Sequence, residues 1–181
     1  MQLFYLPPVE TNIISLPSEE ARHAVQVLRK QVGDQLDLVD GKGGWYKGTI
    51  IAASKKQCQL QLELVKQEKA RAAYRLIMLV SPTKSNERFE WFLEKATEIG
   101  VDEIVPIKCT RTERPRIRHD RYEKVLVSAM KQSLQAWLPK LHEFTSFQDA
   151  LQLTSDLQQK YIGWCDDIVD QALIKKYSAP V

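Results

Sequence analysis

"LIMLVSPTKSNERFEWFLEKATEIGVDEIVPIK", residues 76–108, sets two apolar segments on either side of an amphipathic one. Leu76–Val80 is continuously apolar, as expected of a strand covered on both faces. Over residues 85–100, Phe89, Phe92, Leu93, Ala96 and Ile99 recur at helical spacing, and Gly100 supplies the C-terminal stop. Residues 102–108 read as the next strand. Strand, helix and strand in that order predict a parallel βαβ unit. The pattern continues with a helix over 120–138, a weaker strand near Leu141–Phe144 and a helix near Phe147–Leu153. A strand at 161–165 and a last helix near Ile168–Tyr177 follow. The second half of the chain is therefore expected to be an α/β domain with a mainly parallel sheet.

Upstream the pattern differs. Residues 18–30 read as a helix with Ser18 as cap, Glu19 and Glu20 at its positive end, and Arg29 and Lys30 at its negative end. Ala21, Ala24, Val25 and Leu28 share one face. Strands are expected around Gln35–Val39 and Trp45–Ala52. From Cys58 the chain alternates strictly, with Cys58, Leu60, Leu62 and Leu64 facing one way and Gln59, Gln61 and Glu63 the other. This half reads as a small β-barrel carrying one helix. The polar stretch 66–74 is the expected boundary, dividing the chain into units 1–68 and 74–181.

Composition narrows the class. At 44% hydrophobic and 27% charged the chain is globular, and no apolar run reaches bilayer length. "MQLFYLPPVE" lacks the features of a secretory signal. Cys58, Cys109 and Cys165 have no CxxC spacing, which argues against a disulfide framework or zinc site and points to a reducing cytoplasm. His23, His119 and His142 are too scattered to suggest a metal.

"GKGG" (41–44) is the single glycine cluster. A phosphate cradle would open a helix, but "WYKGTII" follows, so a hairpin turn is expected. From residue 71 onward the glycines are Gly100 and Gly163. Close approach of backbone to a nucleotide-like cofactor favours glycine. Either the second domain binds no such cofactor or its loops lie outside these residues. Glu87, Glu90, Glu94 and Glu98, interleaved with Lys95, read as a solvated helix face rather than as catalytic carboxylates. Trp91 on that side suggests either a partner or a contact with the first domain.

The charge is concentrated in one place. From Lys108 to Lys124 there are seven Lys/Arg and three Asp/Glu, a balance of +4 in a chain of +3. Arg111, Arg114, Arg116 and Arg118 sit in a loop immediately after a strand's C-terminal end, where open α/β sheets bind ligands. Arginine pairs with phosphates bidentately. The loop therefore reads as a phosphate or nucleic-acid surface, against the alternative of a solvated charge run.

Two stretches carry a family resemblance. "HAVQVLRKQVGDQLDLVDGKGGWYKGTI" (23–50) and "SPTKSNERFEWFLEKATEIGVDEIVPIKCTRTERP", continued by "AMKQSLQAWLPKL", resemble the RsmE family of ribosomal RNA small-subunit methyltransferases. Lys84 to Pro106 is the most specific part. The resemblance implies an N-terminal PUA-like barrel and a SPOUT-type α/β domain with a C-terminal trefoil knot. It also implies a homodimer and S-adenosylmethionine-dependent methylation of N3 of a uridine in 16S rRNA. By position, His23, Arg29, Lys84, Arg88 and Arg111 become RNA-side candidates, and Arg114, Arg116 and Arg118 extend that surface on charge grounds. Lys95 and Glu98 match the family helix. Gln135 stands where the family commonly has arginine. The Gly-Pro-Glu-Gly-Gly and later cofactor elements have no counterpart in the sequence and are expected beyond Val181, with the knot. "YIGWCDD" is expected to begin the cofactor region, making Trp164 and Cys165 cofactor-side candidates. No catalytic base is identified. The rival reading is a non-catalytic RNA-binding module or adaptor.

Overall fold

The computed structural model describes residues 2–7, 11–113 and 116–163. The first unit comprises β1 (Leu3–Tyr5), β2 (Ile13–Ser15), α1 (Ser18–Arg22), a π-helical turn (His23–Val27), β3 (Gln35–Val39), β4 (Gly44–Ala53) and β5 (Cys58–Gln67). Its sheet runs β1-β3-β4-β5-β2, with β1 parallel to β3 and the other pairings antiparallel. Phe4, Leu6, Leu16, Leu36, Leu38, Ile50, Leu60 and Leu62 form one core together with Ala21 and Ala24 of the helical segment. The two end strands thus border the same core, so the sheet curls around it as the PUA-like expectation requires.

Three local expectations are corrected. The helix is not a continuous α-helix over 18–30. Its α-helical part stops at Arg22, the π-helical turn follows, and the chain reverses at Arg29, whose φ is 55°. Ser18 is not the cap; Pro17 precedes the first turn and makes no side-chain capping bond. Ala21 and Ala24 are buried and Val25 and Leu28 pack beside them, so the expected apolar face survives the change of pitch. In β5 the alternation holds through Leu62 but fails at Leu64, which is 54% exposed. Leu64 still pairs in register with Tyr46; the register shift comes just after it, where Val65 is the extra residue before Lys66 pairs with Trp45.

The second unit contains β6 (Ile77–Val80), α2 (Asn86–Ile99), β7 (Glu103–Lys108), α3 (His119–Gln132), β8 (Lys140–Leu141), β9 (Thr145–Ser146) and α4 (Phe147–Leu153). All its pairings are parallel: β6 with β7, and β7 with β8 and then β9. Phe89 and Leu93 of α2 meet Tyr122 and Leu126 of α3 over Ile104 and Leu141, with Met78 and Val80 alongside. Ile77, Leu79, Val105 and Ile107 point the other way, toward Ala150 of α4. The strand read as covered on both faces is so covered, though it remains only half-buried.

Ser85 caps α2, accepting from Arg88 N at 3.4 Å, and Gly100 ends it with a φ of 96°. Ile99, expected inward, is 80% exposed, and Thr97 is buried in its place, donating its hydroxyl to Leu93 O. The helix expected over 120–138 ends earlier, with Ser133 at its C-cap and Leu134 at a φ of 54°. This releases residues 134–138 to meet the first unit. Residues 161–163 are not in a strand. The remainder of that expected strand and the helix near 168–177 lie outside the described residues.

The two units join along a seam. Lys42 and Trp137 form an antiparallel bridge, Gly43 N donates to Ala136 O and Leu138 N donates to Gly41 O. The "GKGG" segment is the β3–β4 turn as expected, but its glycines also make room for a neighbour. A Cβ on Gly43, whose φ is 87°, would stand 2.5 Å from Trp137 Cζ2 and 2.7 Å from Glu68 O. Glu68 receives the indole N–H groups of Trp45 and Trp137, each at 3.0 Å, and the Lys66 ammonium at 2.9 Å. The Lys66 hydrogen bond holds the Glu68 carboxyl below the usual carboxylate range; burial opposes this and the indoles reinforce it. Lys124 and Lys131 of α3 reach Glu19 and Glu20 of α1, each at 2.5 Å. Leu3 and Val39 pack with Met130 and Ala136 across the same junction.

Candidate functional site

A parallel strand followed by a helix delivers its connecting loop to the carboxyl edge of the sheet. The loop after β6 carries Lys84, with Arg88 in the first turn of α2; the loop after β7 carries Arg111, Arg116 and Arg118. The two loops are tied together. Ser81 Oγ lies 2.7 Å from Thr112 Oγ1, which also accepts from Cys109 N at 2.7 Å. Thr112 N closes the turn back to Cys109 O. Beneath them, Tyr122 donates to Asn86 Oδ1 at 3.3 Å, and Arg121 grips both oxygens of Glu90, so the first turns of α2 and α3 are held side by side. Hydroxyls and helix starts thus hold the loops in place without using the loop arginines.

Arg111, Arg116 and Arg118 are exposed, and none is held in an ion pair among the described residues. Lys84 stands 3.9 Å from Glu113, both side chains well exposed. An anion arriving here would meet guanidinium groups that need not first be released from internal carboxylates. Lys84, Arg88, Arg111, Arg116 and Arg118 therefore share one edge. His23 and Arg29 do not join them; they belong to the first unit. His23 is half-buried, hydrogen-bonded to Gln2 and packed on the Phe4 ring. Arg29 is exposed at the end of the π-helical turn. Arg114, Trp164 and Cys165 lie outside the described residues.

Other singled-out residues resolve into structure. Glu90 is mostly covered and bound to Arg121, so that helix face is not uniformly solvated, while Lys95 bridges Glu94 and Glu98. Gln135, in the position where arginine was expected, donates to Glu98 O at 2.7 Å and ties the segment after α3 to the end of α2. Trp91 is 63% exposed, so the first unit does not bury it. Cys58 is buried and its thiol is pushed up by that burial. His119, Asp120 and Glu123 each bring one potential ligand atom within 4.8 Å of the others on the exposed first turn of α3. No helix among the described residues is long and apolar enough to cross a membrane. Sequence reasoning missed the seam residues Glu68, Trp45 and Trp137 and the Ser81–Thr112 link. The tryptophans were the available signal for the seam; nothing in sequence marks the hydroxyl pair.

The described residues do not by themselves fit S-adenosylmethionine. The loops after β6 and β7 offer cations and hydroxyls but contain no glycine. A Cβ on Gly163 would meet no described residue within 4 Å, so no close approach there calls for glycine.

The fold and site define an α/β protein with a cationic carboxyl edge on a parallel sheet, the edge at which such sheets bind ligands. The chain belongs to the RNA methyltransferase domain family, whose model matches residues 70–177. The RNA methyltransferase PUA domain model matches residues 16–63. The chain is 24% identical over 179 residues to the ribosomal RNA small subunit methyltransferase E of Bacillus subtilis (strain 168), covering 95% of this chain and 69% of that protein. It superposes with a TM-score of 0.72 on a probable rRNA-methyltransferase from Porphyromonas gingivalis, at 40% identity, over 83% of this chain and 63% of that one. A ribosomal RNA small subunit methyltransferase E from Neisseria gonorrhoeae, bound to S-adenosyl methionine, shares the fold at 24% identity and a TM-score of 0.69, over 83% of this chain and 64% of that one. The chain thus spans about two thirds of these proteins.

Proposed function

We propose that this chain belongs to an enzyme that methylates N3 of a uridine in 16S ribosomal RNA, with S-adenosylmethionine as the methyl donor, as a cytoplasmic homodimer. The observation that carries this reading is the exposed set Arg111, Arg116 and Arg118 at the carboxyl edge, which make no ion pair among the described residues and lie within the stretch that matches the methyltransferase family. Residues 1–68 serve as the PUA-like RNA-gripping unit and 74–181 as part of the SPOUT-type methyltransferase unit. His23, Arg29, Lys84, Arg88, Arg111, Arg114, Arg116 and Arg118 face the RNA, and Trp164 and Cys165 lie on the cofactor side.

Uracil N3–H is a weak acid, and removing its proton spreads negative charge onto O2 and O4. Cationic donors from the arginine loop stabilise that charge electrostatically. Phosphate contacts by the same loop fix the position of the nucleotide, and orientation supplies much of the remaining rate. The family's glycine-rich cofactor elements have no counterpart in these residues, so we expect no heat when S-adenosylmethionine is titrated into the chain. Tight binding would overturn that part of the proposal. For the reaction, reverse transcription of 16S rRNA is compared between cells carrying and lacking the gene. N3-methyluridine is blocked on its pairing edge, so a gene-dependent stop at a uridine is expected. No gene-dependent stop would favour the adaptor reading.

A further inference from the structure

The loops after β6 and β7 leave neighbouring strands at the same edge, and a pair of hydroxyls joins them. Ser81 directly follows Val80, the last residue of β6, whose register partner in β7 is Pro106. Thr112 stands six residues past Pro106, and an extended chain would carry it away by about 3.3 Å for each residue. Its hydroxyl instead lies 2.7 Å from that of Ser81, because residues 109–112 fold back. Thr112 N donates to Cys109 O at 3.0 Å, which closes a four-residue turn on the main chain. Cys109 N donates to Thr112 Oγ1 at 2.7 Å, which closes it a second time through the side chain. A hydroxyl has one proton and two lone pairs, so Thr112 serves Cys109 and Ser81 together.

Arg111 is the third residue of that turn and is exposed. Its backbone lies between the two points that Thr112 ties. The loop after β6 is braced in the same manner. Thr83 donates its hydroxyl to Ser85 O at 2.8 Å and Ser85 Oγ accepts from Arg88 N, with Lys84 between them in sequence. Arg116 and Arg118 lie beyond the turn, beside α3, whose first turn is held separately by Arg121 on Glu90. The hydroxyl pair therefore acts on Arg111 and not on the other two described arginines of the loop.

We propose that Thr112 is a positioning residue for Arg111 in RNA binding, and that Ser81 ties its turn to the loop that carries Lys84. An arginine on an unbraced loop must be ordered when it grips a phosphate, and that ordering is subtracted from the affinity. A turn closed twice is ordered in advance. The gain is largest for arginine, because its planar fork makes two parallel bonds to a phosphate only in a defined orientation. Neither hydroxyl touches the RNA in this account; both act through the cation. This inference deepens the proposed function and rests on it for Arg111 as an RNA-side residue.

The test is binding of the chain to a fluorescein-labelled RNA hairpin, followed by anisotropy at one fixed salt concentration. T112V keeps the shape and removes the hydroxyl, and is expected to weaken binding about fivefold, the worth of one hydrogen bond. T112S keeps the hydroxyl and is expected to bind as the unaltered protein does. The decisive readout is a double-mutant cycle. In R111Q, T112V should add almost no further loss; in R118Q it should weaken binding by the same factor as it does alone. A general loosening of the fold would instead weaken binding in both backgrounds. S81A removes the bond between the loops but leaves the turn closed, and it carries the same test if T112V folds poorly: its smaller loss should likewise vanish in R111Q. Unchanged binding in T112V, or equal losses in the R111Q and R118Q backgrounds, would overturn the inference. If R111Q weakens binding while T112V and S81A do not, the positioning role alone fails. If R111Q binds as the unaltered protein does, the RNA role of Arg111 fails and this inference falls with it.

Discussion

The seam between the two units and the carboxyl edge of the parallel sheet are both rich in charge, and they use it in opposite ways. At the seam each carboxylate has a partner: Glu19 and Glu20 meet lysines of α3, and Glu68 collects one ammonium and two indoles. At the edge Arg111, Arg116 and Arg118 make no ion pair among the described residues, and the loops are tied by Ser81 and Thr112 instead. Charges that are paired within the chain organise the fold, whereas charges left exposed and unpaired are available to a ligand.

This contrast predicts a graded series of effects on stability. The largest falls on Gly43. An alanine there would meet Trp137 and the Glu68 carbonyl at distances no real Cβ tolerates, and would force a left-handed residue besides. Gly43→Ala should lower stability by roughly 3 kcal/mol, measured by chemical denaturation. A loss near zero would mean that the seam does not contribute to the folding equilibrium.

A smaller effect is expected at Glu68. Its carboxyl is lowered in the folded protein, so its contribution is present above the ordinary carboxylate range and is lost as pH falls through the depressed value. Glu68→Gln should cost about 1 kcal/mol for each charge-assisted bond weakened and should flatten that acid dependence. Tryptophan emission reports it directly, because Trp45 and Trp137 both donate to this group. An acid transition in emission that is the same in Glu68→Gln would remove Glu68 from the account.

The smallest effect on folding belongs to the edge. Converting Arg111, Arg116 and Arg118 to glutamine should leave the melting temperature unchanged, because the loop is anchored by other groups. The same variant should flatten the salt dependence of RNA binding by about three units of slope. A large drop in melting temperature would show that these arginines serve the fold, and the contrast between edge and seam would disappear.

The order of elements was legible from periodicity. The parallel βαβ unit, the capped helix ending at Gly100 and strands β3 to β5 of the first unit follow from spacing, whereas the three-residue strands β1 and β2 are too short to show a period. The failures share a cause. Ile99 has helical phase but falls in the last turn of α2, where the described residues leave it 80% exposed. Leu64 has strand phase but stands at the end of the regular register, immediately before the extra residue Val65. The early end of α3 is set by residues 134–138 docking on the first unit, a contact between distant parts of the chain that a local pattern does not contain.

The candidate site divides in the same way. The density of arginine after β7 is a property of sequence, and so is its position after a parallel strand. That Lys84 and Arg88 share this edge follows from topology, and that the arginines are unpaired depends on where every carboxylate ends up. Residue order by itself determined the elements, the family resemblance and the amount of charge. The tertiary structure decided which charges are consumed internally and which remain open to a polyanion, because pairing depends on distance in space and not on separation along the chain.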